Sequence, residues 1–195
     1  MRILMVYSHP VAESFGASMR DAALMGLHEA GHEVKLIDLY EEEFEPRLSR
    51  QERLDYEDQT KNTVNVLDRV EKLQWAEGLV FVFPTWWYGL PAMLSGWFDR
   101  VWVPGVAFKI AQSGKVIEPN LRNIELVAGI TSCGSPWWWM KLMGEPQRRI
   151  IMRGLAALFS KGCKKKWLAI YNMDSASPEA RGKYLAKIAR EMRSF

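Results

Sequence analysis

The chain has few of the residues that build disulfide frameworks and metal centres. Its 195 residues include two cysteines, Cys133 and Cys163, and three histidines. The two cysteines are far apart and lack the close paired spacing of a zinc site. Secreted domains held by disulfides are rich in cysteine, so we expect a reduced, cytoplasmic protein without a structural metal.

The chain also lacks a strong excess of charge and a long apolar run. Twenty-six basic and 23 acidic residues leave a net charge of +3, and no basic stripe with interleaved aromatics indicates nucleic-acid binding. No apolar run approaches the length of about 18 residues that a membrane span requires. We therefore expect no signal peptide, no stable membrane insertion, and one domain over residues 1–195.

Aromatic residues, by contrast, are abundant and concentrate between Leu79 and Trp102. An uncharged run that ends at Pro84 is typical of a strand buried on both faces. An aromatic loop, Thr85–Gly89, follows, and Leu90-Pro91 then opens a helix whose apolar residues recur at helical spacing. In open α/β sheets ligands bind at the carboxyl ends of strands, which is where this loop lies.

The rest of the chain alternates between strand and helix patterns. Further strands are predicted at Arg2–Ser8, Glu33–Asp38, Asn123–Ile130 and Lys165–Tyr171. Helices are predicted at Ser18–Ala30, Asn62–Ala76, Glu145–Phe159 and Ser177–Phe195, with irregular excursions at Leu39–Thr60 and Phe108–Asn120. This alternation predicts a doubly wound α/β fold, with a five-stranded parallel sheet in the order 2-1-3-4-5. Three loops then converge on one crevice.

Several motifs resemble those of a known family. The main one runs from Phe83 to Val101, FPTWWYGLPAMLSGWFDRV, and shorter ones are Ser8-His9-Pro10 with Ser14-Phe15, Asp38-Leu39-Tyr40, Phe44-Glu45-Pro46 and Ser49-Arg50. The chain resembles the NAD(P)H:quinone oxidoreductases, the DT-diaphorase branch of flavodoxin-like proteins, over about residues 1–134. The resemblance implies a flavodoxin-like fold, a bound flavin, NAD(P)H as hydride donor, quinone-like acceptors, ping-pong kinetics and a homodimer.

The loop after the first strand leads into a helix N-terminus, where free amides and the helix dipole favour an anion. The resemblance implies that this anion is the flavin phosphate, with His9, Ser14, Phe15 and Ser18 as contacts. The alternative is a plain strand-to-helix turn in which Ser14 caps the helix.

The other two loops are implied to hold the flavin ring. The residues expected along the ring are Pro84, Thr85, Trp86, Trp87, Tyr88 and Gly89, and those at its pyrimidine end are Thr131, Ser132, Cys133 and Gly134. Amides and hydroxyls at the pyrimidine end would stabilise negative charge on the ring. Trp86, Trp87 and Tyr88 can alternatively be core or dimer contacts. Cys133 can be a redox thiol or an inert buried residue, and Gly89 suggests a positive φ or close approach to the ring.

The substrate pocket is predicted to include Phe108, Trp137, Trp138 and Trp139, the three tryptophans forming a lid over the flavin or a dimer seam. Trp86 and Trp102 are expected at the same interface, with Phe98 and Val101. The family places a Tyr and a His where this chain has Trp139 and Glu145, so no catalytic residue is assigned. Lys164-Lys165-Lys166 is interpreted as the solvated start of an edge strand rather than a phosphate patch.

FAD is expected rather than FMN, because the excursion Leu39–Thr60 resembles that of the longer, FAD-binding members of the family. Two other functions stay open. One is a flavin-binding regulatory subunit of a membrane potassium efflux system, and the other is a flavodoxin-type electron carrier. Such carriers are typically acidic, whereas this chain is not. The acceptor and the choice between NADH and NADPH are left undecided.

Overall fold

A five-stranded parallel sheet forms the centre of the protein, in a computed structural model that describes residues 1–110 and 117–195. The strands are β1 (Arg2–Tyr7), β2 (Glu33–Asp38), β3 (Gly78–Pro84), β6 (Leu126–Ser132) and β7 (Lys164–Ile170). They are ordered β2-β1-β3-β6-β7, so the predicted topology is confirmed. All seven residues of β3 are buried, as expected for a central strand covered on both faces.

Helices cover both faces of the sheet. They are α1 (Phe15–Glu29), α2 (Arg50–Asp55), α3 (Leu67–Trp75), α4 (Ala92–Val101), α5 (Trp137–Leu142), α6 (Pro146–Arg149) and α7 (Pro178–Arg193). Side chains alternate along the strands: Ile3 and Met5 pack in the cluster with α1 and α7, whereas Leu4 and Val6 pack with α3 and α4. Among the described residues no helix combines the length and apolarity needed to cross a membrane.

Some helix boundaries differ from the predicted ones. α1 begins at Phe15 rather than Ser18, because the Ser14 side chain accepts the Ala17 amide and caps it. The single helix predicted for Glu145–Phe159 is wrong: α6 passes into a π-helical turn, Ile150–Gly154, and then a 3₁₀ turn, Leu155–Leu158. The Leu155 amide reaches back five residues to the Ile150 carbonyl, which widens the turn at a glycine of low helix propensity.

The first excursion packs against α4 through a close backbone approach. A Cβ atom on Gly96 would lie 2.2 Å from the Pro46 carbonyl oxygen, so only glycine fits at that point of α4. Arg100, one turn further on, donates to the Glu52 carboxylate on α2 and to the Glu45 carbonyl oxygen. Against α4, the excursion is thereby held by one ion pair, one hydrogen bond to a backbone carbonyl and one tight contact.

The second excursion was predicted to be irregular, but it contains a small hairpin. β4 (Phe108–Ile110) and β5 (Ile117–Pro119) pair in antiparallel fashion, joining Phe108 to Pro119 and Ile110 to Ile117. The connection between the two strands, with Gly114, lies outside the described residues.

Trp102 does not lie on a free surface, so its predicted interface role is wrong. Its side chain is 5% exposed and makes edge-to-face contacts with Trp97, Phe98 and Phe159. Val101 is fully buried as well. The helical periodicity of α4 could not predict the burial of Trp102, because that burial comes partly from Phe159, a residue distant in the chain that packs against its ring.

The ion pair between Glu52 and Arg100 predicts a defined loss of stability in acid. Burial disfavours the charged form of Glu52, but hydrogen bonds from Arg100 and Ser49 outweigh it and lower its pKa to about 2, from 4.5. The pair therefore stabilises the fold fully above pH 4.5 and loses its effect as the pH falls from 4.5 toward 2. We expect Glu52→Gln to lower the free energy of unfolding at pH 7 by roughly 3 kcal/mol, measured by urea denaturation.

The difference between Glu52→Gln and the unsubstituted protein should shrink between pH 4.5 and 3. Glu45→Gln is the matched control, because that carboxylate pairs with Arg47 in an exposed position where ion pairs contribute little. A deficit of the same size at pH 3 and pH 7 would show that the carboxylate does not anchor the excursion.

Candidate functional site

A crevice of about 380 Å³ opens at the carboxyl ends of β3, β6 and β7. Its lining residues come from the loops that follow these strands and from α5: Thr85, Trp87, Tyr88, Cys133, Gly134, Ser135, Met140 and Asp174. Parallel strands end at one edge of a sheet, which explains why segments distant in sequence meet here.

The Thr85 hydroxyl connects the walls of the crevice. Its oxygen lies 2.9 Å from the Thr131 hydroxyl, accepts the Cys133 thiol at 3.2 Å and accepts the Gln147 amide at 3.4 Å. Because a hydroxyl has one proton, Thr85 uses it toward Thr131. Three elements are thus tied together at the floor of the site.

The aromatic loop is a tight turn in which Gly89 donates its amide to the Trp86 carbonyl at 2.9 Å. Its two central residues, Trp87 and Tyr88, have φ values of 49° and 62°, as the central residues of a type I′ turn do. The positive φ suggested for Gly89 is therefore wrong, since the left-handed residues are the two before it. Bulky residues in this conformation carry strain of about 1–3 kcal/mol each, which is found mainly at functional sites.

An aromatic hydrogen bond beside the crevice joins the turn to α5. The Trp139 indole nitrogen donates to the Tyr88 hydroxyl at 3.0 Å, joining α5 to the turn. Trp137 and Trp138 on α5 remain exposed, as does Trp87, which is 96% exposed. Of the three predicted pocket tryptophans, Trp139 is thus the one in contact with the turn.

The first loop lies beside a neighbouring cavity of about 540 Å³. That cavity is lined by Tyr7, His9, Pro10, Ala12, Arg20, Asp38, Tyr40 and Glu41. The His9 ring lies 6.3 Å from that of Trp86, so the first and second loops meet. Ser14 caps α1 and contacts the Tyr7 hydroxyl at 3.3 Å, whereas Ser18 is exposed.

The N-terminus of α1 offers amides to a ligand. As the first two residues of the helix, Phe15 and Gly16 have no intrahelical acceptor, and none is found elsewhere in the described chain. A Cβ on Gly16 would lie 3.2 Å from both His9 and Ser14, so the glycine keeps this corner compact. The Phe15 ring points instead toward Tyr184, at 6.4 Å.

Phe108 lies in a different part of the protein from the other predicted pocket residues. It lines an apolar cavity of about 440 Å³ together with Leu48, Tyr56, Phe98, Trp102, Leu155 and others. This cavity shares no lining residue with the crevice. Within the described residues of one chain, the structure therefore does not bring Phe108 together with Tyr88 or Trp139.

Glu145 is a buried carboxylate whose oxygens are fully engaged. Oε2 accepts Lys141 at 2.5 Å and Arg148 at 2.9 Å, and Oε1 accepts the Tyr171 hydroxyl at 2.9 Å. Burial alone would raise the pKa of Glu145, but these hydrogen bonds outweigh it and lower the pKa. Burial and the bond to Glu145 in turn raise the pKa of Tyr171. Glu145 is therefore ionised at neutral pH and has no proton to donate.

Sequence reasoning missed Asp174, Gln147 and Tyr171. Asp174 follows β7, and the rule that found the other loops could have found it, because its strand ends at the same edge. A Cβ on Gly134 would lie 2.6 Å from the Asp174 carboxylate, which places the two loops in close contact. Gln147 and Tyr171 gave no signal, because their partners are distant in the chain.

Known proteins with similar sequences and structures share this architecture. A family model described as the flavodoxin-like fold matches residues 1–194. A mouse ribosyldihydronicotinamide dehydrogenase (quinone) is 33% identical over an alignment that covers 100% of this chain and 91% of that protein. The uncharacterized NAD(P)H oxidoreductase YcaK of Escherichia coli is 34% identical, with 74% of this chain and 73% of that one covered.

A solved structure of similar shape is the NAD(P)H:quinone oxidoreductase from Methanothermobacter marburgensis. It superposes with a TM-score of 0.84 at 27% identity, covering 100% of this chain and 96% of that one. The chain spans about half the length of several other curated relatives, between 45% and 54% of each.

The surroundings of Cys133 predict low reactivity. The side chain is 1% exposed, and burial raises the pKa of its thiol. Burial raises the pKa of Cys163 as well, but that side chain is only half-buried. We expect iodoacetamide at pH 8 to modify Cys163 at least about tenfold faster than Cys133 in the folded protein, measured by peptide mass spectrometry.

Equal modification rates in denaturant are the internal control, because both thiols are then free. Faster modification of Cys133 in the folded protein would reject the inert assignment and support a redox thiol in the crevice.

Proposed function

The chain belongs to the flavodoxin-like fold family, and on that premise we propose that it is a flavin-dependent NAD(P)H oxidoreductase that reduces quinones or similar flat acceptors. The observation that carries the proposal is the meeting of three strand-end loops around one aromatic crevice. The quinone dehydrogenase of mouse and the archaeal quinone oxidoreductase, to which the chain is similar, support the same reaction class.

The residues present fit a flavin. At the α1 N-terminus, the amides of Phe15 and Gly16 are free to donate and the dipole favours a phosphate. The Ser8 hydroxyl, buried at the end of β1, has no partner in the described chain. The turn adds the free amides of Trp87 and Tyr88, and the loop after β6 adds those of Gly134 and Ser135. These amides have no acceptor in the described chain and are therefore free to donate to a ligand or to water.

A bound flavin would supply two-electron hydride chemistry, taking hydride from NAD(P)H and passing it to the acceptor in separate half-reactions. The protein's own contribution is position and electrostatics. The Gly134 and Ser135 amides can stabilise negative charge, as the donors of an oxyanion hole do. Trp87, Tyr88 and Met140 line the crevice and offer apolar surface to a flat substrate, and Trp139 holds the Tyr88 hydroxyl in place.

Neither Trp139 nor Glu145 supplies the proton relay of the family. The Trp139 indole nitrogen is occupied by Tyr88, and the Glu145 carboxylate is saturated by three donors. The proposal therefore assigns no acid–base catalyst, and protons reach the acceptor from solvent.

FAD is the proposed cofactor, because the long excursion of the FAD-binding relatives is present and folded around α2. We also propose a homodimer. Trp86, Trp87, Trp137 and Trp138 are exposed around the crevice, and an aromatic surface of this kind is typical of an interface. A partner's hairpin could bring Phe108 to the site that it does not reach within one chain.

The proposal predicts a yellow protein with quinone reductase activity. Purified protein should release FAD on denaturation, identified by mass, and should oxidise NADPH or NADH steadily when menadione is present. Light scattering should give about twice the chain mass of 22.5 kDa. Protein that binds neither FAD nor FMN would overturn the proposal, and flavin without NAD(P)H oxidation would favour a carrier or a regulatory subunit.

Gly89 provides a second test, because the structure leaves room for a side chain there. A Cβ would lie 3.7 Å from the Trp86 carbonyl, and φ is not positive, so Gly89→Val should change the free energy of unfolding by less than about 1 kcal/mol. If the backbone approaches the flavin, the same change should weaken flavin affinity at least about tenfold, measured by fluorescence titration.

Gly182→Val is the matched control, because Gly182 lies on α7 with no neighbour within 4 Å. Undiminished flavin affinity in Gly89→Val would mean that the turn does not lie against the ring.

A further inference from the structure

A second pocket, strongly basic, adjoins the crevice. It has a volume of about 320 Å³, and its charged lining residues are Lys141, Glu145, Arg148, Arg149 and Arg153. Lys141 follows directly after Met140, which lines the crevice, so the two cavities meet at α5. The Gln147 side chain reaches from α6 to Thr85 and gives a second connection.

The π-helical turn brings the arginines together. In an α-helix, residues five apart point in different directions, whereas the i→i+5 pattern of a π turn stacks them on one face. The turn Ile150–Gly154 thus moves Arg153 toward the face of Arg148, five residues earlier, while Arg149 already lies four residues before it, and all three line one pocket. Single π turns of this kind occur often at functional sites.

The charges in this pocket are not balanced. Glu145 pairs with both Lys141 and Arg148, so these three side chains together carry a net charge of +1. Arg149 and Arg153 form no ion pair with any carboxylate in residues 1–110 or 117–195. The pocket therefore presents four cations against one anion, with two guanidinium groups available to a ligand.

We propose that this pocket binds a phosphomonoester. A phosphomonoester is close to doubly charged at neutral pH and matches two free guanidinium groups, whose fork geometry suits phosphate. The identity of the ligand rests on the proposed function, in which NADPH or NADH is the hydride donor. The 2′-phosphate of NADPH is a phosphomonoester, and it is the group that distinguishes NADPH from NADH. The pocket would then favour NADPH over NADH. The nicotinamide end of the molecule would lie in the crevice, which Met140 of α5 lines.

The pocket favours a small anion over a lipid surface. The four cations line a concave volume of about 320 Å³ rather than a flat face, although Arg149 and Arg153 are themselves exposed. Exposed Trp137, Trp138 and Leu142 lie close by in sequence and are features that a membrane surface could use. Membrane docking is for this reason one of the outcomes to be tested.

Calorimetry with NADP⁺ and NAD⁺ tests the pocket directly, because the two probes differ by the 2′-phosphate alone and NAD⁺ carries no phosphomonoester. We expect NADP⁺ to bind at least about tenfold more tightly, and Arg149→Gln/Arg153→Gln to remove that preference without changing NAD⁺ binding. Arg190→Gln is the matched control, because Arg190 is an exposed arginine on α7. Thermal unfolding of each variant verifies that it folds.

In the flavin-loaded enzyme, the double variant should raise KM for NADPH about tenfold and leave KM for NADH and kcat unchanged. Equal affinity for the two probes in the unsubstituted protein would overturn the proposal. Binding of inorganic phosphate without any preference for NADP⁺ over NAD⁺ would also overturn it. Arginine-dependent binding to phosphatidylserine vesicles in place of NADP⁺ would assign the surface to a membrane and would equally overturn the proposal.

The two proposals fail separately. Protein that reduces menadione with NADH and NADPH at equal KM keeps the oxidoreductase function and loses the phosphate pocket. Protein that binds NADP⁺ more tightly than NAD⁺ through Arg149 and Arg153 but holds no flavin keeps the pocket and loses the oxidoreductase function.

Discussion

The burial of β3 on both faces is the constraint on which the rest of the structure depends. An uncharged strand of this kind is stable only between two other strands and under helices on each side, and here β1 and β6 flank it. Once β3 is central, its carboxyl end lies next to the ends of both neighbours. The turn Trp86–Gly89 then has to sit where the strand order reverses, and the crevice follows from that position.

The site is rigid on one side and strained on the other. Thr85 ties β3, β6 and α6 together through its hydroxyl, using its single proton and both lone pairs. Immediately after it, Trp87 and Tyr88 adopt left-handed conformations that cost energy and that the Tyr88–Trp139 hydrogen bond helps to hold. This combination presents amides and aromatic surface in a fixed arrangement before any ligand arrives, which lowers the cost of ordering on binding.

Glu145 shows how a buried carboxylate organises the residues around it. Such a group must be paired, and Lys141, Arg148 and Tyr171 all turn toward it. These hydrogen bonds lower the pKa of Glu145, so the carboxylate stays ionised. The same pairing fixes Lys141 and Arg148 at the wall of the basic pocket.

The sequence by itself determined the sheet order and the three strand-end loops, because these depend on local periodicity and on rules of strand connection. It offered the cap at Ser14 only as an alternative to a phosphate contact, and it began α1 at Ser18 instead of Phe15. It also placed most of the crevice, since strand ends share an edge. It could not place Trp102 or Phe108, whose surroundings come from Phe159 and the hairpin, nor foresee the π turn or the positive φ values at Trp87 and Tyr88. Gln147 and Tyr171 join the site through partners that are 62 and 26 residues away in the chain. Those contacts carry no local pattern, because their energy arises only when distant segments pack, and so only the tertiary structure decided them.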